Sequence, residues 1–183
     1  MKRITTLSFF MLFCWITAFA IPRAEYPRPQ FERNAWINLN GEWTYSFDFG
    51  GSGLEREWFK STGFDQKIIV PFCPESKLSG VEYKDFINHM WYHRTISIPQ
   101  DWANKQILLN FGAVYYKSEI YIDGVFAARH FGGTSSFQVD ITPYVKAGQT
   151  HNLVVYVESD VRSTHQPSGK QNLQFASYAC NYT

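Results

Sequence analysis

The chain has 183 residues, a formal net charge of +1, and 45% hydrophobic and 18% aromatic side chains. That length suits one domain able to bury about 70% of the surface its unfolded chain exposes. The near-balanced charge, with no basic stripe, argues against nucleic acid as a partner.

The first twenty residues read as a secretory signal peptide. Met1-Lys2-Arg3 is a basic head, Leu7 to Ala20 is an apolar run, and Ala18-Phe19-Ala20 supplies small residues for cleavage. The run falls short of the roughly 20 apolar residues that span a bilayer. Cys14 sits inside it and not at a cleavage junction, so a lipid anchor is not expected. The expected location is therefore periplasmic or extracellular, with no membrane contact after cleavage. Cys73 and Cys180 remain, and export permits a disulfide. Their wide separation leaves pairing open, and two small buried hydrophobic side chains are the plainer expectation.

Residues 21–35, rich in Pro and charge, read as an extended lead-in. Strand patterns follow. Glu42 to Phe47 alternates, with Trp43, Tyr45 and Phe47 on one face. Lys67 to Val70 is a short apolar strand stopped by Pro71, and Met90 to Ile98 runs to Pro99. Ile107, Leu109 and Phe111 alternate. Ile120 and Ile122 do the same before Asp123-Gly124, a hairpin turn signal with Val125 to His130 as the returning strand. Phe137, Val139 and Ile141 give the seventh pattern, and Leu153, Val155 and Val157 the eighth. Helix signals are few. Gly53 to Lys60 suits one or two turns, and Thr142-Pro143 reads as an N-cap and first residue of a short turn closed by Gly148. The fold class expected is all-β, a mostly antiparallel sandwich or jelly roll.

No catalytic constellation is visible. His89 and His93 lie in a strand pattern, where four residues span about 13 Å, too far to share one ion. Glycoside hydrolysis needs two carboxyl groups about 5 to 9.5 Å apart, and the scattered acids place no such pair. Asn181-Tyr182-Thr183 matches a glycosylation sequon, a common pattern. The high aromatic content suits a β-core, with some rings available to stack on sugar faces.

An ordered set of segments nevertheless resembles glycoside hydrolase family 2. Trp36-Ile37-Asn38-Leu39-Asn40-Gly41-Glu42-Trp43 is similar to its opening strand motif. Ile69-Val70-Pro71-Phe72-Cys73-Pro74-Glu75-Ser76, with Leu78-Ser79-Gly80, resembles the next landmark. Met90-Trp91-Tyr92-His93-Arg94 resembles its Trp-Tyr-x-Arg strand. Phe111-Gly112-Ala113-Val114 and Ile120-Tyr121-Ile122-Asp123-Gly124 are similar to its central hairpin. His130-Phe131-Gly132-Gly133, Phe137, Asp140-Ile141-Thr142 and Gly169-Lys170-Gln171 complete the series.

The resemblance implies a jelly-roll sugar-binding domain (galactose-binding-domain-like) over residues 36–183. In relatives an immunoglobulin-like domain follows, then a TIM barrel with two catalytic glutamates. On that expectation the chain is a fragment that stops at Thr183, before the catalytic barrel. It would have no catalytic residue, metal or cofactor of its own and would be inactive alone. Its partners would be a β-glycoside, met through the full-length enzyme, and its own barrel. The resemblance places Asn181 where β-galactosidases and β-glucuronidases carry an Asp that reaches substrate, so Asn181 is the expected substrate-binding residue. An amide there keeps hydrogen-bonding reach and loses charge. Tyr115 and Asp123 also depart from the family's commoner Asp and Asn. The loop from Ser79 to His89 is expected either to press on the barrel mouth or to serve as an ordinary connection. The alternatives are a free-standing carbohydrate-binding module and a purely structural sandwich.

Overall fold

The computed structural model describes residues 21–26, 30, 32–163 and 165–167. Eight strands form: β1 (Gly41–Phe47), β2 (Gln66–Val70), β3 (His89–Ser97), β4 (Leu108–Phe111), β5 (Lys117–Ile122), β6 (Val125–Phe131), β7 (Phe137–Asp140) and β8 (Thr150–Glu158). All pairings are antiparallel. One sheet has the order β2-β1-β3-β8-β5-β6, and β4 pairs with β7 in a second. The eight strand patterns read from the sequence thus match the eight strands, with ends shifted by up to three residues. Among the described residues no helix is long and apolar enough to cross a membrane.

Alternation decides how the sheets pack. Trp43 and Tyr45 of β1, Met90 and Tyr92 of β3, Ile120 and Ile122 of β5, and Leu153, Val155 and Val157 of β8 share one face of the large sheet. Leu109 of β4 and Val139 of β7 enter the same core, so the small sheet closes over that face. Residues of a strand alternate between faces, and the opposite face is usually solvated in antiparallel sheets. Here its middle is buried as well. Trp91, Tyr121, Val154 and Tyr156 form a second cluster, covered by Trp58, Phe59 and Phe64 from the segment after β1.

That cover is held closely. The Trp91 indole donates to Asp48 Oδ2 at 3.1 Å, and the same carboxylate accepts the backbone N–H groups of Ser52 and Gly53 at 3.0 and 2.8 Å. A Cβ on Gly53 would lie 2.4 Å from the indole nitrogen, so only glycine lets the chain pass there.

The turns follow the sequence with one correction. Asp123 (φ 48°) and Gly124 (φ 79°) both occupy the left-handed region, as a two-residue hairpin with a type I′ turn requires. The 3-10 turn Thr142–Tyr144, however, takes Ile141 and not Thr142 as its N-cap. The Thr142 hydroxyl instead accepts the Ile107 backbone N–H at 2.8 Å, a partner 35 residues away, so a tertiary bond displaces the local cap. Gly53 to Lys60 contains a single 3-10 turn, Trp58–Lys60.

Candidate functional site

The loop expected to matter, Ser79 to His89, lies at the end of the sandwich where β3 begins. It is not a loose connection. Ser79 and Ile87 are buried, Tyr83 N–H donates to Pro74 O at 3.0 Å, and Asp48 N–H donates to His89 O at 3.0 Å. Residues 159–163 and 165–167 fold against the same end. Ser159 N–H donates to Asn88 O at 2.8 Å, the Arg162 guanidinium sits 4.3 Å from the centre of the Phe86 ring, and the Tyr115 hydroxyl donates to Pro167 O. Tyr83 also packs on Phe47 and Phe49, and Phe49 is 62% exposed. This end therefore presents an ordered loop with an aromatic edge.

Tyr115 is part of that order. A Cβ on Gly133 would fall 1.7 Å from the Tyr115 ring, so the second glycine of the Gly132-Gly133 pair is the seat on which the ring rests. Burial pushes the Tyr115 phenol up from its ordinary range, which keeps it a hydrogen-bond donor at neutral pH.

Beside this end, β5, β6 and β8 bring together an ionic cluster. Glu119, 3% exposed, accepts Arg129 Nε at 3.0 Å and Arg129 Nη2 at 2.9 Å through Oε1, and the Tyr121 hydroxyl at 2.6 Å through Oε2. Lys117 Nζ lies 3.6 Å from Glu119 and 2.6 Å from Glu158. The Tyr156 hydroxyl pairs with His89 Nδ1 at 2.8 Å and donates to Glu158 at 3.4 Å. Burial raises both phenols, Tyr121 and Tyr156, and the neighbouring carboxylates raise them further. Two carboxylates meet two cations and two protonated phenols. Each carboxylate is held by donors, so the cluster offers neither a free base nor an acid for glycoside cleavage.

A second acidic contact also looks catalytic and is not. Asp123 Oδ2 lies 2.6 Å from His151 Nδ1, while His151 Nε2 accepts the Lys146 backbone N–H at 3.0 Å. With Nε2 occupied as acceptor, the ring proton sits on Nδ1 and no lone pair is left to serve as a base. The dyad ties the β5–β6 turn to the start of β8, where Asn152 N–H also donates to Asp123 Oδ1 at 2.8 Å. The Asp at this turn, unusual in the resemblance, thus makes bonds along both carboxylate oxygens.

Of the sequence-marked residues, Asn181 lies outside the described residues, as do residues 1–20, Cys180 and Gly169-Lys170-Gln171. Cys73 is buried. His89 and His93 do lie on β3, and each ring is engaged elsewhere: His93 with Thr44 at 3.2 Å and with Asn152 at 3.0 Å. Among the described residues no group of three or more His, Cys, Asp or Glu side chains is placed to hold a metal ion. The Trp-Tyr-x-Arg segment is structural throughout. Trp91 and Tyr92 enter the two cores, and Arg94 Nη1 donates to the carbonyls of Leu39 and Asn40 at 2.7 and 3.2 Å, fastening the lead-in.

These features define an antiparallel β-sandwich domain. The family model described as "Glycosyl hydrolases family 2, sugar binding domain" matches residues 37–168, and the chain belongs to that family. It is 29% identical over 135 residues to a beta-glucuronidase of Felis catus, covering 67% of this chain and 20% of that protein. It is 26% identical over 146 residues to a beta-galactosidase of Thermoanaerobacter pseudethanolicus, covering 73% and 18%. Among solved structures, the beta-glucuronidase of Ruminococcus gnavus in complex with D-glucuronic acid matches with a TM-score of 0.59 at 26% identity, over 66% of this chain and 21% of that one. The chain thus spans about a fifth of the length of these relatives.

Proposed function

We propose that this chain is the non-catalytic sugar-binding domain, of jelly-roll type, of a secreted family 2 glycosidase acting on β-glycosides in carbohydrate metabolism. In this reading it packs against a catalytic barrel, and the Ser79–His89 loop helps shape the mouth of that barrel's active site. Asn181 would contribute a substrate contact there. The observation that carries the reading is the match of residues 37–168 to the family's sugar binding domain, in a chain that covers a fifth of its beta-glucuronidase relatives. The ordered loop and its exposed aromatic edge support it, because a rigid element can narrow a neighbouring site without doing chemistry.

The test is an activity assay of the purified chain with aryl β-glucuronide and aryl β-galactoside. The expected result is no turnover above background, since retaining hydrolysis needs two closely placed carboxyl groups and this reading puts that pair in the barrel. Turnover that survives repurification would overturn the reading. Tight binding of free sugar without turnover would favour a free-standing carbohydrate-binding module instead.

Secretion is part of the same proposal and rests on residues 1–20. N-terminal sequencing of the exported product should begin at Ile21. A product that still begins at Met1 would refute it.

A further inference from the structure

At the opposite end of the sandwich from Ser79–His89, a groove of about 570 Å³ opens between the 3-10 turns Gln100–Trp102 and Thr142–Tyr144. Its apolar lining includes Ile107 and Val145, both buried, and the half-buried Trp102. Its polar lining is already assembled. Gln106 Nε2 donates to Asp140 Oδ2 at 2.8 Å, and Thr142 N–H donates to Asp140 Oδ1 at 2.9 Å. Ile107 N–H donates to the Thr142 hydroxyl. Each Asp140 oxygen keeps a second lone pair, and Gln106 keeps its carbonyl oxygen and a second amide hydrogen. The bonds from Thr142 and Gln106 hold the Asp140 carboxyl below the usual carboxylate range, so it is ionised at neutral pH.

We propose that this groove binds a neutral oligosaccharide. An apolar floor with a few fixed polar groups is the common form of a small-ligand site, and the volume falls within the usual range. Vicinal hydroxyls match a planar carboxylate beside a planar amide, each offering acceptors and, from the amide, a donor. The carbon face of a sugar ring suits Trp102 and the aliphatic floor. Charge selects further. Lys105 and Asp140 offset one another in the lining, so no net positive field draws an anion, and the ionised Asp140 opposes a uronate carboxylate. Asp140 is already bonded to Gln106 and Thr142 before any ligand arrives, which lowers the ordering cost of binding at these groups. This goes beyond the proposal for the whole enzyme and holds whatever that enzyme cleaves.

The experiment is calorimetric titration of the chain, with amide chemical-shift mapping, using β-1,4-galactotetraose, β-1,4-xylotetraose and methyl β-D-glucuronide as probes. A neutral tetrasaccharide should bind saturably with Kd on the order of 1 mM, and the glucuronide should bind about tenfold more weakly. Shifts should centre on residues 102–107 and 140–147. Trp102→Ala and Gln106→Ala should each weaken binding about tenfold. Gln106 is exposed, so its variant keeps the thermal midpoint of the parent chain and separates lost binding from lost folding. Absence of saturable binding by both neutral sugars would overturn the proposal. So would binding that survives both substitutions, or shifts that map to the Ser79–His89 end.

Discussion

Trp91→Ala is expected to remove about 4 kcal/mol or more of stability. The side chain is fully buried, and replacing such a ring by Ala costs about 3–5 kcal/mol in lost transfer energy and cavity. A second loss adds to it. Asp48, itself buried, would keep its two backbone donors but lose the indole N–H, and a missing partner at a buried charged acceptor costs about 1–3 kcal/mol. Trp91 also touches Tyr156, Tyr121 and Trp58, with ring centres 4.6, 6.4 and 6.1 Å away, so the cover over the second face would lose its central contact. Domains are stable by about 5–15 kcal/mol, so most of the margin goes. Urea unfolding of parent and variant measures the difference. Trp91→Phe fills most of the volume and should cost only about 2 kcal/mol, through the lost hydrogen bond. Equal, small effects of the two substitutions would show that the segment 53–64 does not seal this face.

Val155→Asp should be worse still, with a loss of at least about 4 kcal/mol and a chain that fails to fold at growth temperature. Val155 lies on β8, flanked by Tyr92 of β3 and Ile120 of β5, and its face is closed by the small sheet. An ionised carboxylate there has no cation within the core, and unpaired buried charge is among the largest single penalties. Val154→Asp should be comparably severe, because the neighbouring residue points into the second buried cluster. Val125→Asp on β6, at 54% exposure, is the control and should change stability by no more than about 0.5 kcal/mol. Circular dichroism and thermal melting of the three variants would decide it. A tolerated aspartate at either core position would mean that β8 is not the central buried strand.

How far this was legible in the sequence depends on the interaction. Alternation placed β1, β4, β5, β7 and β8, because burying one face of a sheet forces a period of two, while runs stopped by Pro71 and Pro99 placed β2 and β3 and the Asp123-Gly124 turn placed β6. The Trp-Tyr-x-Arg segment could be located but not interpreted, since the roles of Trp91 and Arg94 depend on segments 40 to 55 residues away in the chain. Burial of both faces of β8 had a signal in the unbroken run Leu153 to Val157, which fits a fully covered strand. What covers the second face had none, because Trp58, Phe59 and Phe64 sit on an irregular segment without period.

The ionic cluster was hidden for a different reason. A two-residue turn at Asp123-Gly124 with regular pairing puts Ala128 opposite Glu119. A shift between Ile120 and Tyr121 moves the register by one, so Arg129 faces Glu119 instead. One irregular residue thus decides whether Arg129 joins Lys117 at the buried acid, and nothing in the composition of the hairpin announces it. The groove between residues 102–107 and 140–147 was likewise invisible, because its polar lining joins side chains more than thirty residues apart.

The position of β8 has a consequence for how the chain is made. It is the last strand of the described fold, yet it lies in the middle of the large sheet and pairs with β3 on one side and β5 on the other. While residues 150–158 are still inside the ribosome, the nascent chain holds a three-stranded β2–β1–β3 unit and a β5–β6 hairpin with no strand between them. Its most non-local pairings, those between His89–Ser97 and Thr150–Glu158, have to wait, and such pairings are slow to form. Until then the flanks of β3 and β5 are open strand edges, which invite mispairing, and the large sheet becomes continuous only when β8 enters between the two halves.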